Sequence, residues 1–250
     1  MAVDPIHQFQ IIDLFPVVKI GHTEIAFTNS AAYMAVAVVV IMLFLVGGTA
    51  RRSLVPGRLQ SAAELSYEFV ANTIRSTAGT EGMRFFPFVF TLFMFILVVN
   101  LIGLIPYTFT VTTHIVITAT LALSVFATVL VYGFWKNGLH FFNLFVPKGI
   151  PIYILPLIVF IEVLSFISRP ISHSVRLFAN MLAGHITLKV FASFITLLGG
   201  LGIFGIAGAT LPLALVVALT ALELLVAFLQ AYVFAILTCI YLNDAIHPGH

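Results

Sequence analysis

The sequence predicts an all-α integral membrane protein with about five membrane crossings, a surface amphipathic helix, and two long, steeply tilted helices at its C-terminal end. Three observations predict it. Hydrophobic residues make up 61% of the 250-residue chain and charged residues 8%, against roughly 25% charged in an ordinary soluble protein. Mean hydropathy is +1.16. Uncharged runs long enough to cross a bilayer alternate with short polar connections.

The same composition excludes several classes of function. A net charge of +2, with no basic run longer than Arg51-Arg52, gives nucleic acid nothing to bind. Cys239 is the single cysteine, so no disulfide framework and no cysteine-based metal site is expected. The eight histidines include no H-E-x-x-H spacing, and neither a metal nor a cofactor is expected. Residues 1–30 carry Asp4, Asp13 and Glu24 against one lysine, the reverse of the basic start of a secretory signal.

The first span covers 31–48, eighteen uncharged residues, and Arg51, Arg52 and Arg58 follow it. By the positive-inside rule this helix runs from the outside to the cytoplasmic side, leaving the N-terminus outside. Over 58–80, Arg58, Glu64, Glu68 and Arg75 alternate with Leu59, Ala62, Leu65, Phe69 and Ile74, which predicts an amphipathic helix on the cytoplasmic surface. A helical hairpin is expected over 85–135. Its first arm contains Asn100 and ends at Pro106, its connection Tyr107–His114 is uncharged, and its second arm returns to Lys136 and Lys148.

The segment 150–198 is apolar except for Glu162, Arg169, Arg176 and Lys189. As one helix it measures roughly 70 Å at 1.5 Å per residue, more than twice the roughly 30 Å of hydrocarbon. It is therefore either two spans or one steeply tilted span, with Pro156 and Pro170 able to kink it. Gly199–Thr210, with five glycines and no charge, predicts a turn on the outer side. The last long helix, 206–243, ends beside Asp244, with Pro248 and Gly249 beyond. A single tilted crossing keeps the glycine turn outside and the C-terminus inside, in step with the basic loops.

Charges deep in a bilayer cost about 2.5 to 3.5 kcal/mol each on insertion scales. They are confined here to the last two segments, so function is expected there. At about 100° per residue, Glu162, Arg169, Ser172, Asn180 and Thr187 all fall within about 40° of Arg176, forming one polar stripe. His185 falls on the opposite face. On the last helix Glu223 and Gln230 share a face, with Thr220, Tyr241 and Asp244 nearby, and an antiparallel neighbour would bring them to His185 or to Arg176. Arginine stays charged even in a poor solvent, so Arg176 is a poor relay and a good barrier to protons. Carboxylates and imidazoles can relay them. Glu162 on one side of a fixed cation, with His185 and Glu223 on another, points to two separated proton paths. Arg169 and Lys189 read equally well as snorkelling charges, and Tyr241 and Thr187 as packing residues.

The run Ser168-Arg169-Pro170-Ile171-Ser172-His173-Ser174-Val175-Arg176-Leu177-Phe178-Ala179-Asn180-Met181-Leu182-Ala183-Gly184-His185 closely resembles the core signature of subunit a of F-type ATP synthases. Asn100-Leu101-Ile102-Gly103-Leu104-Ile105-Pro106 and the pair Glu223 and Gln230 match as well, and the resemblance covers most of the chain. It implies a stator subunit beside a rotating c-ring with an ion-carrying carboxylate, held by peripheral-stalk b subunits and acting only indirectly on the catalytic headpiece. It further implies that Arg176 faces the ring carboxylate with Asn180 and Gln230 close to it, that His185 and Glu223 form the outer half-channel, and that Glu162 and Asp244 lie on the inner one. The implied location is an energy-coupling membrane, bacterial rather than mitochondrial. No phosphate-binding G-x-x-x-x-G-K-[ST] loop occurs, so nucleotide chemistry is expected in partner subunits. The competing reading is a stand-alone ion channel or secondary transporter, although no internal repeat of the kind common in transporters is evident.

Overall fold

A computed structural model describes residues 11–20, 23–50, 55–105, 108–146 and 153–247, and among the described residues there are six α-helices. Asp4, Arg51, Arg52, Pro106, Tyr107, Lys148, the start of the long segment at 150 and the closing Pro248-Gly249 lie outside the described residues. The helices are α1 (Asn29–Ala50), α2 (Arg58–Gly82), α3 (Phe86–Gly103), α4 (Ile115–Asn137), α5 (Leu155–Gly199) and α6 (Ile203–Ile246). Short 3-10 turns occupy Met83–Phe85, Val111–Thr113 and Gly138–Phe145. Five helical segments are long and apolar enough to cross a membrane, with α2 and α3 counted together as one.

The all-α expectation holds, with one small addition near the N-terminus. Two antiparallel strands, β1 (Asp13–Ile20) and β2 (Thr23–Thr28), precede α1, with Lys19 opposite Glu24 and Phe15 opposite Phe27. Val17, Val18, Ile20, Thr23, Ile25 and Phe27 are the β-branched and aromatic residues that suit a pleated ribbon. The passage into α1 is capped. The Thr28 hydroxyl accepts from the Ala31 N–H at 3.3 Å, satisfying a donor that the helix leaves open. Asn29 ties the ribbon back, its N–H donating to the Ile12 carbonyl at 3.0 Å.

α2 carries its predicted charges outward, and of its expected apolar residues Ile74 is buried and Phe69 half-buried. Ala63, Val70, Ala71, Ile74 and Ala78 are buried, whereas Leu59, Ala62 and Leu65 are exposed. Small residues at helical spacing let the backbone approach its neighbours, and Phe69 packs against Phe93 and Tyr232 with ring centroids 5.6 and 5.3 Å apart. The helix bends at Gly79, where φ is 65°.

α5 is one 45-residue helix, so the two-span alternative fails for this segment. Pro156 sits in the first turn, where the missing N–H costs nothing, and Pro170 is carried inside without ending the helix. In lipid, a broken helix would expose backbone groups to hydrocarbon, a penalty larger than one lost hydrogen bond. The expected turn over Gly199–Thr210 is shorter than predicted, because α6 already begins at Ile203. Gly202, at φ +81°, makes the reversal. A side chain at Gly205 would strike the Leu198 carbonyl, so the glycines after the turn serve close packing rather than flexibility.

The fold divides into two units. The first comprises Met1–Met42, Phe95–His114 and Leu177–Gln230; the second comprises Leu43–Met94, Ile115–Arg176 and Ala231–His250. In the first, Asn100 is fully buried, its amide donating to the Ala227 carbonyl at 3.4 Å and accepting from Thr112 at 3.0 Å. In the second, α4 meets α5 through the Thr118–Ser174 hydroxyl pair at 3.1 Å, and Asn137 donates to the Ala245 carbonyl at 2.7 Å. A phenylalanine cluster of Phe126, Phe141, Phe145 and Phe166 fills the space beside it.

Candidate functional site

Each unit holds one polar cluster built between α5 and α6. In the first unit, His185 Nδ1 lies 3.4 Å from Glu223 Oε1, and His185 Nε2 lies 3.2 Å from the Thr110 hydroxyl. Glu223 is 5% exposed, and neither carboxylate oxygen has a partner of hydrogen-bond geometry. Five residues before His185 on α5 and seven after Glu223 on α6, the Asn180 amide donates to Gln230 Oε1 at 2.9 Å. The antiparallel neighbour thus brings Glu223 to His185 and Gln230 to Asn180, which resolves a choice the helical angles alone left open.

Gly184 is what lets the carboxylate sit there. A Cβ on Gly184 would lie 2.6 Å from Glu223 Oε1, closer than atoms can approach. Gly184→Ala is expected to push the carboxylate off His185.

The second unit holds Glu162, Arg169 and Asp244. Arg169 Nη1 donates to Asp244 Oδ2 at 2.6 Å, and Glu162 Oε1 lies 3.9 Å from the same guanidinium. The guanidinium also stands 5.3 Å from the Phe166 ring centroid and 5.1 Å from that of Tyr241. Arg169 is therefore a paired charge rather than a snorkelling one, and Tyr241 belongs to the cluster rather than to packing alone.

Arg176 belongs to neither cluster. It is exposed, and among the described residues it has no ion-pair partner. Ser172 and Asn180, one turn to either side of it on α5, are exposed too, as are the apolar Ile171 and Val175. Of the stripe predicted from helical angles, Ser172, Arg176 and Asn180 form a surface of this chain, whereas Glu162 and Arg169 are taken up in the cluster with Asp244.

The model of the family described as ATP synthase A chain matches residues 31–243. The chain belongs to that family. It is 71% identical over 248 residues to ATP synthase subunit a of Rhodopseudomonas palustris strain BisB18, covering 99% of this chain and 100% of the relative. It is 72% identical over 247 residues to the subunit a of Nitrobacter winogradskyi, covering 99% of both. As a member of the ATP synthase A chain family it is a proton-translocating stator subunit of the membrane sector, and catalysis on nucleotides lies in other subunits. The reading as a stand-alone channel or transporter is not favoured.

Several residues of the first cluster escaped the sequence reading. Thr110, Thr112 and Thr113 are all buried in a connection that carries no charge. His114 follows them, stacked on Phe109 with ring centroids 5.0 Å apart, and burial holds its imidazole below the usual histidine range. The signal was present as a polar run beside an apolar span, yet only the tertiary contact of Thr110 with His185 gives it a use.

Proposed function

We propose that the two clusters are the ends of two half-channels and that Arg176 is the electrostatic barrier between them. A permanently charged guanidinium with no ion-pair partner among the described residues, on an exposed face of a membrane helix, carries this reading. A fold with no use for such a charge avoids its insertion cost, and a partner bringing a carboxylate to that face would relieve it. The partner is a c-ring whose ion-carrying carboxylate passes α5 and α6, with peripheral-stalk b subunits holding the stator against the ring. Helices of 45 and 44 residues are roughly 65 Å long, so both lie steeply tilted along the ring to remain within the hydrocarbon.

A proton enters from the outer side through the Thr110–His185–Glu223 cluster and neutralises a ring carboxylate, which then travels through lipid at low cost. After nearly a full turn the carboxylate reaches the inner path and releases its proton towards Glu162, Arg169 and Asp244. Arg176 favours the ionised carboxylate between the two and blocks direct passage, while Asn180 stands on the same face one turn further on, held by the buried Gln230. Each charge crossing 100 mV yields about 2.3 kcal/mol, so several protons are used for each ATP. The basic loops orient the chain in the bacterial inner membrane with its N-terminus outside and its C-terminus inside. α2 lies on the cytoplasmic surface.

Sidedness tests the proposal. In a Cys239→Ala background, Glu162→Cys and Asp244→Cys are expected to react with a membrane-impermeant thiol reagent only from the cytoplasmic side. His185→Cys is expected to react only from the outer side. Labelling of both clusters from one side overturns the two-path reading.

A further inference from the structure

One buried titratable side chain in the second unit is left unused by the mechanism above. His173 is 3% exposed, and among the described residues both its ring nitrogens are buried without a hydrogen-bond partner. Its ring meets Phe234 edge-on, with centroids 3.7 Å apart, and lies 6.0 Å from the Tyr241 ring. Burying an imidazole with neither nitrogen satisfied carries a penalty that leucine or phenylalanine at this position avoids. A neutral imidazole offers one donor and one acceptor on opposite edges, so a water on each side satisfies it and makes it a link in a chain.

Its neighbours say where such a chain leads. Four residues before it on α5, Arg169 holds Asp244 and Glu162; three residues after it stands Arg176, on the exposed stripe with Ser172. From α6 it is faced by Phe234 and Tyr241, the latter in contact with the Arg169 guanidinium. α4 adds no charge here, only the Thr118 hydroxyl that pairs with Ser174. Of the titratable and charged groups on these elements, Tyr241 faces the ring directly, while Glu162, Arg169 and Arg176 on α5 and Asp244 on α6 lie further along the helices.

We propose that His173 is a proton-transfer station of the inner path, between the exposed stripe at Ser172 and Arg176 and the Glu162–Arg169–Asp244 cluster. This rests on the assignment of that cluster to the inner path. A proton reaching one ring nitrogen from the water on the stripe side forms a new N–H bond as the N–H on the opposite edge gives its proton to the water on the cluster side. Charge and protons balance. A rotation of the ring restores the starting tautomer.

The test uses the assembled enzyme in inverted vesicles and its membrane sector stripped of the headpiece. His173→Leu fills the space without polarity, and His173→Gln keeps a donor and an acceptor but cannot pass a proton between them. With subunit content matched, both are expected to lower passive proton flux at least about tenfold, and to remove a titration step from its dependence on cytoplasmic-side pH. Normal flux in His173→Leu overturns the proposal, and so does normal flux in His173→Gln, which reduces His173 to a holder of water. Should His173→Leu fail to assemble, the glutamine variant decides alone. Cytoplasmic-side labelling of Glu162→Cys is independent of these results, so an error about His173 is separable from an error about the inner path.

Discussion

Arg176→Lys is expected to abolish ATP-driven acidification of inverted vesicles, to below about 1% of the native rate, while the subunit still assembles; that loss corresponds to roughly 2.7 kcal/mol. The substitution keeps a positive charge and removes the two properties the position uses. A guanidinium remains charged in any protein environment, whereas a desolvated ammonium can give up its proton, which turns a barrier into a relay. The planar fork can also meet a carboxylate with two parallel bonds, which an ammonium cannot. Because Arg176 is exposed and has no ion-pair partner among the described residues, its loss breaks no ion pair there, so a folding defect is not expected. Arg176→Ala is expected to lose pumping equally and to add a passive leak once the headpiece is removed. Near-normal pumping by either variant makes Arg176 a structural residue and ends the barrier mechanism.

Glu223→Gln and His185→Ala are expected to slow proton flux from the outer side by roughly ten- to a hundredfold, about 1.4 to 2.7 kcal/mol in the rate-limiting step. Glutamine preserves the shape of the buried glutamate but cannot bind and release a proton. Alanine leaves Glu223 without its neighbour at 3.4 Å and the Thr110 hydroxyl without its 3.2 Å partner. Since the groups act in series, the double variant is expected to lose little more than the worse single one. Passive flux driven from each side in turn measures this, with binding of the headpiece as the control for assembly. Unchanged flux in both variants removes the pair from the path, and independent, additive losses refute a shared route.

How far these assignments were legible depended on the kind of interaction. Membrane residence, the long last helices and the polar stripe on α5 follow from composition and from a 100° advance per residue, which a helix in lipid obeys because its backbone has no other hydrogen-bond partners. The opposite placement of Arg176 and His185 on α5 was readable in the same way. The strands Asp13–Ile20 and Thr23–Thr28 were not legible because Asp13–Ile20 lacks a clean two-residue alternation and carries Pro16. On α2 periodicity gives the outward charges, but not which of the remaining small and apolar residues are buried.

The sequence by itself determined that this is a helical membrane protein, which residues resemble the family's signature, and which charges are too costly to lack a purpose. Those are properties of one chain in one solvent, set by composition and local geometry. Only the tertiary structure decided who meets whom: Glu223 with His185 and Thr110, Gln230 with Asn180, Arg169 with Asp244 and Tyr241, and His173 with no polar partner. Helical angles give the face on which a side chain lies, but the partner on that face depends on the axial register of a second helix. That register is set by small-residue contacts such as Gly184 against Glu223, which no periodicity encodes.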